Sequence, residues 1–411
     1  MQDPAHIDLA LLGARPKAVA ALLRYFRDLD VAEEAFQEAC LRALQTWPKN
    51  GPPRDPTAWL VLVGRNAALD SQRRNRALGP LPDPETLVDE RQWQSAERLD
   101  DSDYRDDILR LLFVCGHPSL PSVQQIALAL RIVSGLTVEQ IARAFLASPA
   151  AIEQRITRAK RAIAEAGIAF ESPGSSERAE RLAAVMAMIY LIFNEGYGST
   201  PDAAETRGPL AEEAIRLGRL LLSLFPADPE VLGLLALMLL QHSRAAARFN
   251  LNGELVLLDD QDRTLWNRTF IGEGRLLLER AGRCQDVGPY QLQAAIAALH
   301  ASAARPQDTP WREIDLLYQS LEALQPSPVV TLNRAVAVWK LQGPEVALGL
   351  IEPLTIALDG YFYFHGLKGA LLKQLNRVEE ARTAFRCAIE RANSIAEANH
   401  IRRELEKLAG S

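Results

Sequence analysis

The sequence predicts an all-α chain, and three observations predict it. Apolar residues recur at three- and four-residue spacing in segment after segment, the signature of helices carrying one buried stripe. Alanine, leucine, arginine and glutamate dominate, while the alternating runs of β-branched residues that half-buried strands require are scarce. Proline and glycine gather in short stretches between the periodic segments, where they end helices.

A chain of 411 residues exceeds a usual single core, so two or three domains are expected. The first unit closes at Leu78-Gly-Pro-Leu-Pro-Asp-Pro84, which cannot continue a helix, and the polar, acidic stretch behind it reads as a linker. A second unit ends at Glu171-Ser-Pro-Gly-Ser-Ser176, again with linker composition. The expected division is therefore 1–80, a linker over 81–105, 106–170, and a long helical region over 171–411. Turns in that region are expected at 194–209, 226–229, 282–289, 305–310 and 325–328.

Within the first unit, a helix over 31–45 places Ala32, Ala35, Phe36, Ala39, Ala43 and Leu44 on one stripe. Its other face carries Glu33, Glu34, Gln37, Glu38 and Arg42 around the apolar Leu41. Such a face is either a solvated surface or a docking site for a basic helix, with Leu41 as its desolvated centre. The next helix, 57–76, buries Trp59, Leu62, Val63 and Ala67 and gathers Arg65, Arg73, Arg74 and Arg76 toward its C-terminal end, with Asn66 exposed beside them. Cations there complement the helix dipole, but four exceed that need and form a local basic patch on an acidic chain.

The second unit contains Gly135-Leu-Thr-Val-Glu-Gln-Ile-Ala-Arg-Ala-Phe145, a short turn, and Ala150-Ala-Ile-Glu-Gln-Arg-Ile-Thr-Arg-Ala-Lys-Arg161. It reads as a helix-turn-helix. Thr137 and Gln140 have capping-box spacing, and Ser148-Pro149 supplies an N-cap and an N1 proline for the second helix. Ile152, Ile156, Ala159 and Ile163 point inward, leaving Gln154, Arg155, Arg158, Lys160 and Arg161 outside, and Gln and Arg pair with base edges in a major groove.

In the long helical region, Asn333-Arg-Ala335, Ala347 and Ile351 are echoed 34 residues later by Gly369, Ala381 and Phe385, a tetratricopeptide-like period. Only these last two units show it well.

An acidic-faced helix, a Trp-bearing helix ending in arginines, a linker and a helix-turn-helix, in that order, resemble the extracytoplasmic-function sigma factors. The resemblance rests on Asp30-Val-Ala-Glu-Glu-Ala-Phe-Gln-Glu-Ala-Cys-Leu-Arg-Ala-Leu44, Ala58-Trp-Leu-Val-Leu-Val-Gly-Arg-Asn-Ala-Ala-Leu-Asp70 with Arg73-Arg74, and the helix-turn-helix, within the first 170 residues or so. It implies that Glu34, Gln37, Glu38, Leu41 and Arg42 dock on the clamp helices of the largest subunit of core RNA polymerase. It implies further that Arg65, Asn66, Arg73, Arg74 and Arg76 handle the −10 element of promoter DNA, while Gln154, Arg155, Arg158, Lys160 and Arg161 read the −35 element. Two departures stand out: Gly64 occupies a position where alanine is expected, suggesting local looseness, and Pro118-Ser-Leu-Pro121 breaks the start of the second domain. The helical extension is similar to one carried by a subgroup of these factors, through Phe193-Asn-Glu-Gly-Tyr197, Asp259-Asp-Gln-Asp-Arg263, Gly288-Pro-Tyr-Gln-Leu-Gln293 and Leu332-Asn-Arg-Ala-Val336. The polar residues of these stretches are expected mainly to cap helices and satisfy buried backbone groups, and a tetratricopeptide-like surface to hold a peptide or protein partner.

The net charge of −6 disfavours tight DNA binding by the chain alone, and a protein that meets promoter DNA as part of a polymerase complex has no need of it. No phosphate loop, His-Glu-x-x-His run or nucleophile elbow is present, so no enzyme and no cofactor are expected. The four cysteines, Cys40, Cys115, Cys284 and Cys387, lack paired spacing, which argues against metal and suits a reducing compartment. Neither a leader nor a membrane span is evident, so the chain is expected in the cytoplasm and off the membrane. A helix-turn-helix regulator with a tetratricopeptide-like sensor, acting without replacing sigma, is the alternative reading.

Overall fold

The computed structural model describes residues 4–76, 101–145, 147–166, 175–197, 201–250, 254–284, 286–392 and 394–409. The expected linker residues 81–100 and 171–174 lie outside them. The described residues are helical, with no strand beyond a single isolated bridge between Phe249 and Leu255. They form two compact units, 1–192 and 193–411.

In the first unit, α1 (Pro4–Phe26), α2 (Leu29–Asn50) and α3 (Pro56–Arg76) pack as a three-helix group. Asp28 caps α2 by accepting hydrogen bonds from the Asp30 and Val31 amides, and Gly51, at a φ of 77°, ends it. Ala32, Ala35, Phe36, Ala39 and Ala43 are buried as the spacing predicts, whereas Leu44 is 49% exposed. Trp47 and Trp59 meet edge to face where α2 and α3 begin to run antiparallel.

Gly64 shows the opposite of looseness. A β-carbon there would lie 2.7 Å from the Ala35 carbonyl oxygen, a backbone atom that cannot step aside. The glycine sets how closely α3 approaches α2. Alanine would gain up to about 1 kcal/mol of helix propensity, but overpacking costs about 1–3 kcal/mol. Gly64→Ala is therefore expected to lower stability, and an unchanged or raised denaturation midpoint would refute the close approach.

The same unit continues with α4 (Asp101–Cys115), α5 (Ser122–Ile132), α6 (Val138–Ala144) and α7 (Pro149–Glu165). Helix α4 starts inside the stretch expected as linker. Pro118-Ser-Leu-Pro121 is a turn between α4 and α5, pinned by Leu120, which is buried, and by the Gln125 side chain donating to the His117 and Leu120 carbonyls. The helix-turn-helix forms as its caps predict. Gln140 N–H donates to Thr137 Oγ1 at 3.1 Å while Thr137 N–H donates to Gln140 Oε1 at 2.8 Å, and Ala151 N–H donates to Ser148 Oγ. Ile152, Ile156 and Ala159 are buried and Ile163 is half-buried.

Helix α8 (Ser175–Tyr197) crosses the division between the units. The second unit then runs through α9 (Pro201–Leu224), α10 (Pro229–His242), α11 (Arg268–Ala281), α12 (Pro289–Ser302), α13 (Trp311–Leu324), α14 (Pro328–Gln342), α15 (Pro344–Ile351), α16 (Phe362–Gln374), α17 (Val378–Glu390) and α18 (Ile395–Ala409), each packed on its chain neighbours or next neighbours. The turn expected over 194–209 is shorter, because Pro201 starts α9 and Pro209 sits inside it.

The 34-residue echo falls on two consecutive helix pairs, α14–α15 and α16–α17, whose small residues face one another. Ala335, Ala347, Ile351, Ala381 and Phe385 are all at most 1% exposed, and a β-carbon on Gly369 would lie 2.5 Å from the Phe385 ring.

The polar stretches serve architecture. Glu230 accepts from the Tyr290 and Gln291 amides at the start of α12, and a β-carbon on Gly288 would strike its carboxylate. Arg334 pairs with Asp315 at 2.8 Å and Glu322 at 2.9 Å. Asp262 accepts from the Thr264 amide, Asp259 pairs with Lys340, and Arg263 donates to the His300 and Ala303 carbonyls at the end of α12 while lying over the Trp266 ring. Gly196 lets α8 approach the Ala211 backbone.

Burial, reinforced by Arg244 and Arg263, pushes the His300 imidazole down to about 4 from its ordinary 6.5. Unfolded His300 therefore takes up a proton below about 6.5 that the folded chain refuses until about 4. Stability contributed by neutral His300 is complete above that window and is lost as pH falls through it, on the order of 3 kcal/mol. His242 and His400 are shifted in the same direction by burial. His300→Gln is expected to flatten part of the acid limb of a stability-against-pH curve; an unchanged limb would count against a buried neutral imidazole.

Candidate nucleic-acid and partner interface

Helix α2 presents two different faces. On the outer one Glu34, Gln37 and Leu41 are exposed, Leu41 by 56%, and Leu44 adds a second exposed apolar side chain one turn on. Glu38 and Arg42 are half-buried and pair with each other at 3.3 Å. The face thus offers an apolar centre flanked by acid and amide groups.

Glu33, expected outside, is only 5% exposed. Three cations surround its carboxylate: Arg131 Nε at 2.9 Å, Lys160 Nζ at 3.1 Å and Arg15 Nη2 at 3.6 Å. Helix periodicity cannot reveal such a site, because two of the partners come from elements a hundred residues further along the chain. Arg15, 9% exposed, donates from Nε to the Ile132 carbonyl and from Nη2 to the Arg131 carbonyl, filling the orphan acceptors at the end of α5. Burial lowers the Arg15 pKa against the pull of Glu33, and its guanidinium also lies 4.9 Å from the Phe36 ring centre. Gly135, at a φ of 76°, leaves the space that the Arg15 side chain occupies. Glycine just beyond a helix end was a legible signal; the arginine that uses it was not.

On α3, Arg65 and Asn66 are half-buried, Arg65 lying 5.7 Å from the Tyr25 ring centre. Asn66 is thus less open than expected. Arg73, Arg74 and Arg76 fall on the last turns of α3, and their side chains lie outside the described residues.

Helix α7 exposes Gln154, Arg158 and Arg161, with Arg155 half-buried and Arg161 paired to Glu165. Lys160 turns the other way, bonding Asp30 at 2.5 Å and Glu33 at 3.1 Å across a cleft of about 390 Å³ lined by Glu153, Thr157 and Arg131 among others. Burial opposes its charge, but the two carboxylates outweigh burial and raise its pKa.

Cys115 is fully buried, with its thiol pushed up to about 12 by desolvation, while the His117 ring bonds Ser119. The two do not converge on a ligand position. Among the described residues no cluster of His, Cys, Asp and Glu could hold a metal ion, and no helix is long and apolar enough to cross a membrane.

A capped helix-turn-helix behind a three-helix group whose last helix ends in arginines has the layout of a DNA-binding transcription protein. Residues 13–78 match the family Sigma-70 region 2, and residues 111–163 match Sigma-70, region 4. These two regions indicate a factor of the sigma-70 type. Residues 181–282 match a family of unknown function, DUF6596. An uncharacterized protein of Rhizobium meliloti (strain 1021) is 63% identical over 411 residues, covering 100% of this chain and 97% of the relative.

Proposed function

We propose that the chain is an alternative sigma factor of the extracytoplasmic-function type, which binds core RNA polymerase in the cytoplasm and directs it to promoters. Sigma domain 2 occupies 1–80, sigma domain 4 occupies 106–170, and 171–411 is a tetratricopeptide-like extension that regulates them through a peptide or protein partner. The observation that carries the reading is the pairing, in one chain, of an outward-facing Glu34–Gln37–Leu41 surface with a capped helix-turn-helix exposing Gln154 and Arg158. A regulator that leaves polymerase to another sigma has no use for the first.

In this reading Glu34, Gln37, Glu38, Leu41 and Arg42 meet the polymerase clamp helices. The arginine end of α3, with Asn66, handles the −10 element, and α7 reads the −35 element. Periodic helix pairs suit an extension that presents a repeated surface to a partner. The test is reconstitution: the purified chain is mixed with sigma-free core polymerase, and transcripts from defined promoters are compared for the full chain and for a version ending at Ser172. Initiation at defined sites is expected. Failure to bind core while still binding duplex DNA would transfer the assignment to a polymerase-independent regulator.

A further inference from the structure

We infer that the second unit has a binding face for an acidic, extended peptide, centred on Lys340 of α14 and Arg403 of α18, and that the chain's own residues 254–260 occupy it as a built-in substitute. The inference deepens the proposed peptide-binding role of residues 171–411 and does not depend on the sigma assignment.

The stretch between α10 and α11 includes Glu254-Leu-Val-Leu-Leu-Asp-Asp-Gln-Asp-Arg-Thr-Leu-Trp-Asn267, with four carboxylates and one cation. Its side chains reach helices far along the sequence. Glu254 pairs with Arg403 of α18 at 3.0 Å, Asp259 pairs with Lys340 of α14 at 2.7 Å, and Arg263 donates to carbonyls at the end of α12. The charge of Asp260 acts on the His400 imidazole of α18, and that of Arg248, just upstream, acts on Tyr363 of α16. Helices α12, α14, α16 and α18 alternate along the chain. In a stack of helix pairs such alternate helices share one face, and repeat arrays use an extended face of this kind to hold ligands. The stretch is therefore laid where a ligand would lie.

Its two ends are held differently. Gln261, Arg263 and Trp266 are buried and anchor the C-terminal end. Residues 254–260 lie on the surface, where Leu257 is 47% exposed and Asp260 is also exposed. Among the described residues, the backbone of 254–266 hydrogen-bonds only within 248–268, as where Val256 N–H donates to the Arg248 carbonyl and Asp260 N–H to the Leu257 carbonyl. Attachment of 254–260 to the array is by side chains, among them two ion pairs whose members are 31% to 42% exposed, and exposed pairs hold weakly. A covering bound in that way can be exchanged for another of the same chemistry.

The pairs also specify the partner. Glu254 and Asp259 stand five residues apart with Leu255, Val256, Leu257 and Leu258 between them, so the face takes carboxylates on either side of an aliphatic run. The Lys340 ammonium lies 5.7 Å from the Trp311 ring centre and 5.6 Å from the Trp339 ring centre, which positions it for an incoming carboxylate.

The probe is a fluorescein-labelled peptide with the sequence of residues 254–262, followed by fluorescence anisotropy on the full-length chain. Glu254→Gln with Asp259→Asn removes both ion pairs of the resident stretch. Peptide binding is expected to tighten about tenfold over the wild type, because less of the face is self-occupied. Adding Lys340→Glu to that chain should abolish binding, and a peptide with lysine in place of the aspartate matching Asp259 should restore it. In the wild-type chain, excess peptide should speed amide exchange at Val256 and Asp260, since so small a hairpin does not persist without the array beneath it.

Equal affinity for the wild-type and neutralised chains, no binding to either, or equal binding of a scrambled peptide of the same composition would overturn the site. Equal binding of a single-stranded oligonucleotide of matched charge would reduce the face to a cationic surface and overturn the peptide assignment. Transcription with core polymerase is measured alongside. Initiation without peptide binding sinks the site and spares the sigma reading, whereas peptide binding without initiation does the reverse.

Discussion

Replacing Glu34 by lysine and Leu41 by alanine together is expected to remove core polymerase from the purified protein, with affinity falling about 100-fold or more. Leu41 is a large apolar side chain more than half exposed on a helix whose other aliphatic residues are mostly inside. Burying such a side chain at the centre of an interface and truncating it typically costs about 2 kcal/mol or more. Reversing Glu34 adds repulsion wherever the partner surface is basic, and like charges across an interface cost several kcal/mol. Both positions point away from the α1–α3 packing, so helical content and thermal unfolding should be unchanged. Copurification at the wild-type level would remove the docking role from this face.

Phe385→Ala is expected to destabilise the second unit by about 3–5 kcal/mol, the usual cost of emptying a buried aromatic site. The ring is 1% exposed and lies in a core with Ile351, Phe364, Leu371 and Ala381, against the face of Gly369 that lacks a side chain. Neighbouring helices cannot collapse into the vacated space without dragging the preceding pair out of register. Because the chain has two compact units, chemical denaturation should be followed by a probe in each, since a single two-state fit is not licensed. A loss below about 1 kcal/mol would show that the ring contributes little to the pairing of α16 with α17.

Much of the fold was legible from local signals. The capping box at Thr137, the Ser148-Pro149 start of α7 and the buried alanines of α2 are each fixed by residues within one or two turns, so the sequence displays them directly. On the outer face of α2, the exposure of Glu34, Gln37 and Leu41 was legible for the same reason.

What stayed hidden depends on residues far apart in the chain. Glu33 reads as a surface residue until Arg131 and Lys160 arrive beside it, and Gly64 reads as a weak point until the Ala35 carbonyl is placed against it. Leu44 continues the apolar spacing of α2 yet emerges exposed, because spacing defines a face without saying how far along the helix that face is covered. Lys160 resembles its cationic neighbours in type and differs from them only in what it touches.

Glu33 and Glu34 are consecutive residues, and a rotation of roughly 100° per residue sends their side chains to different sides of one rigid rod. Chemically identical groups thereby acquire independent tasks. Glu33 is committed to Arg15, Arg131 and Lys160 inside the first unit, while Glu34 faces solvent, so the packing of the unit and the charge of its surface can be altered independently at adjacent positions of a single helix.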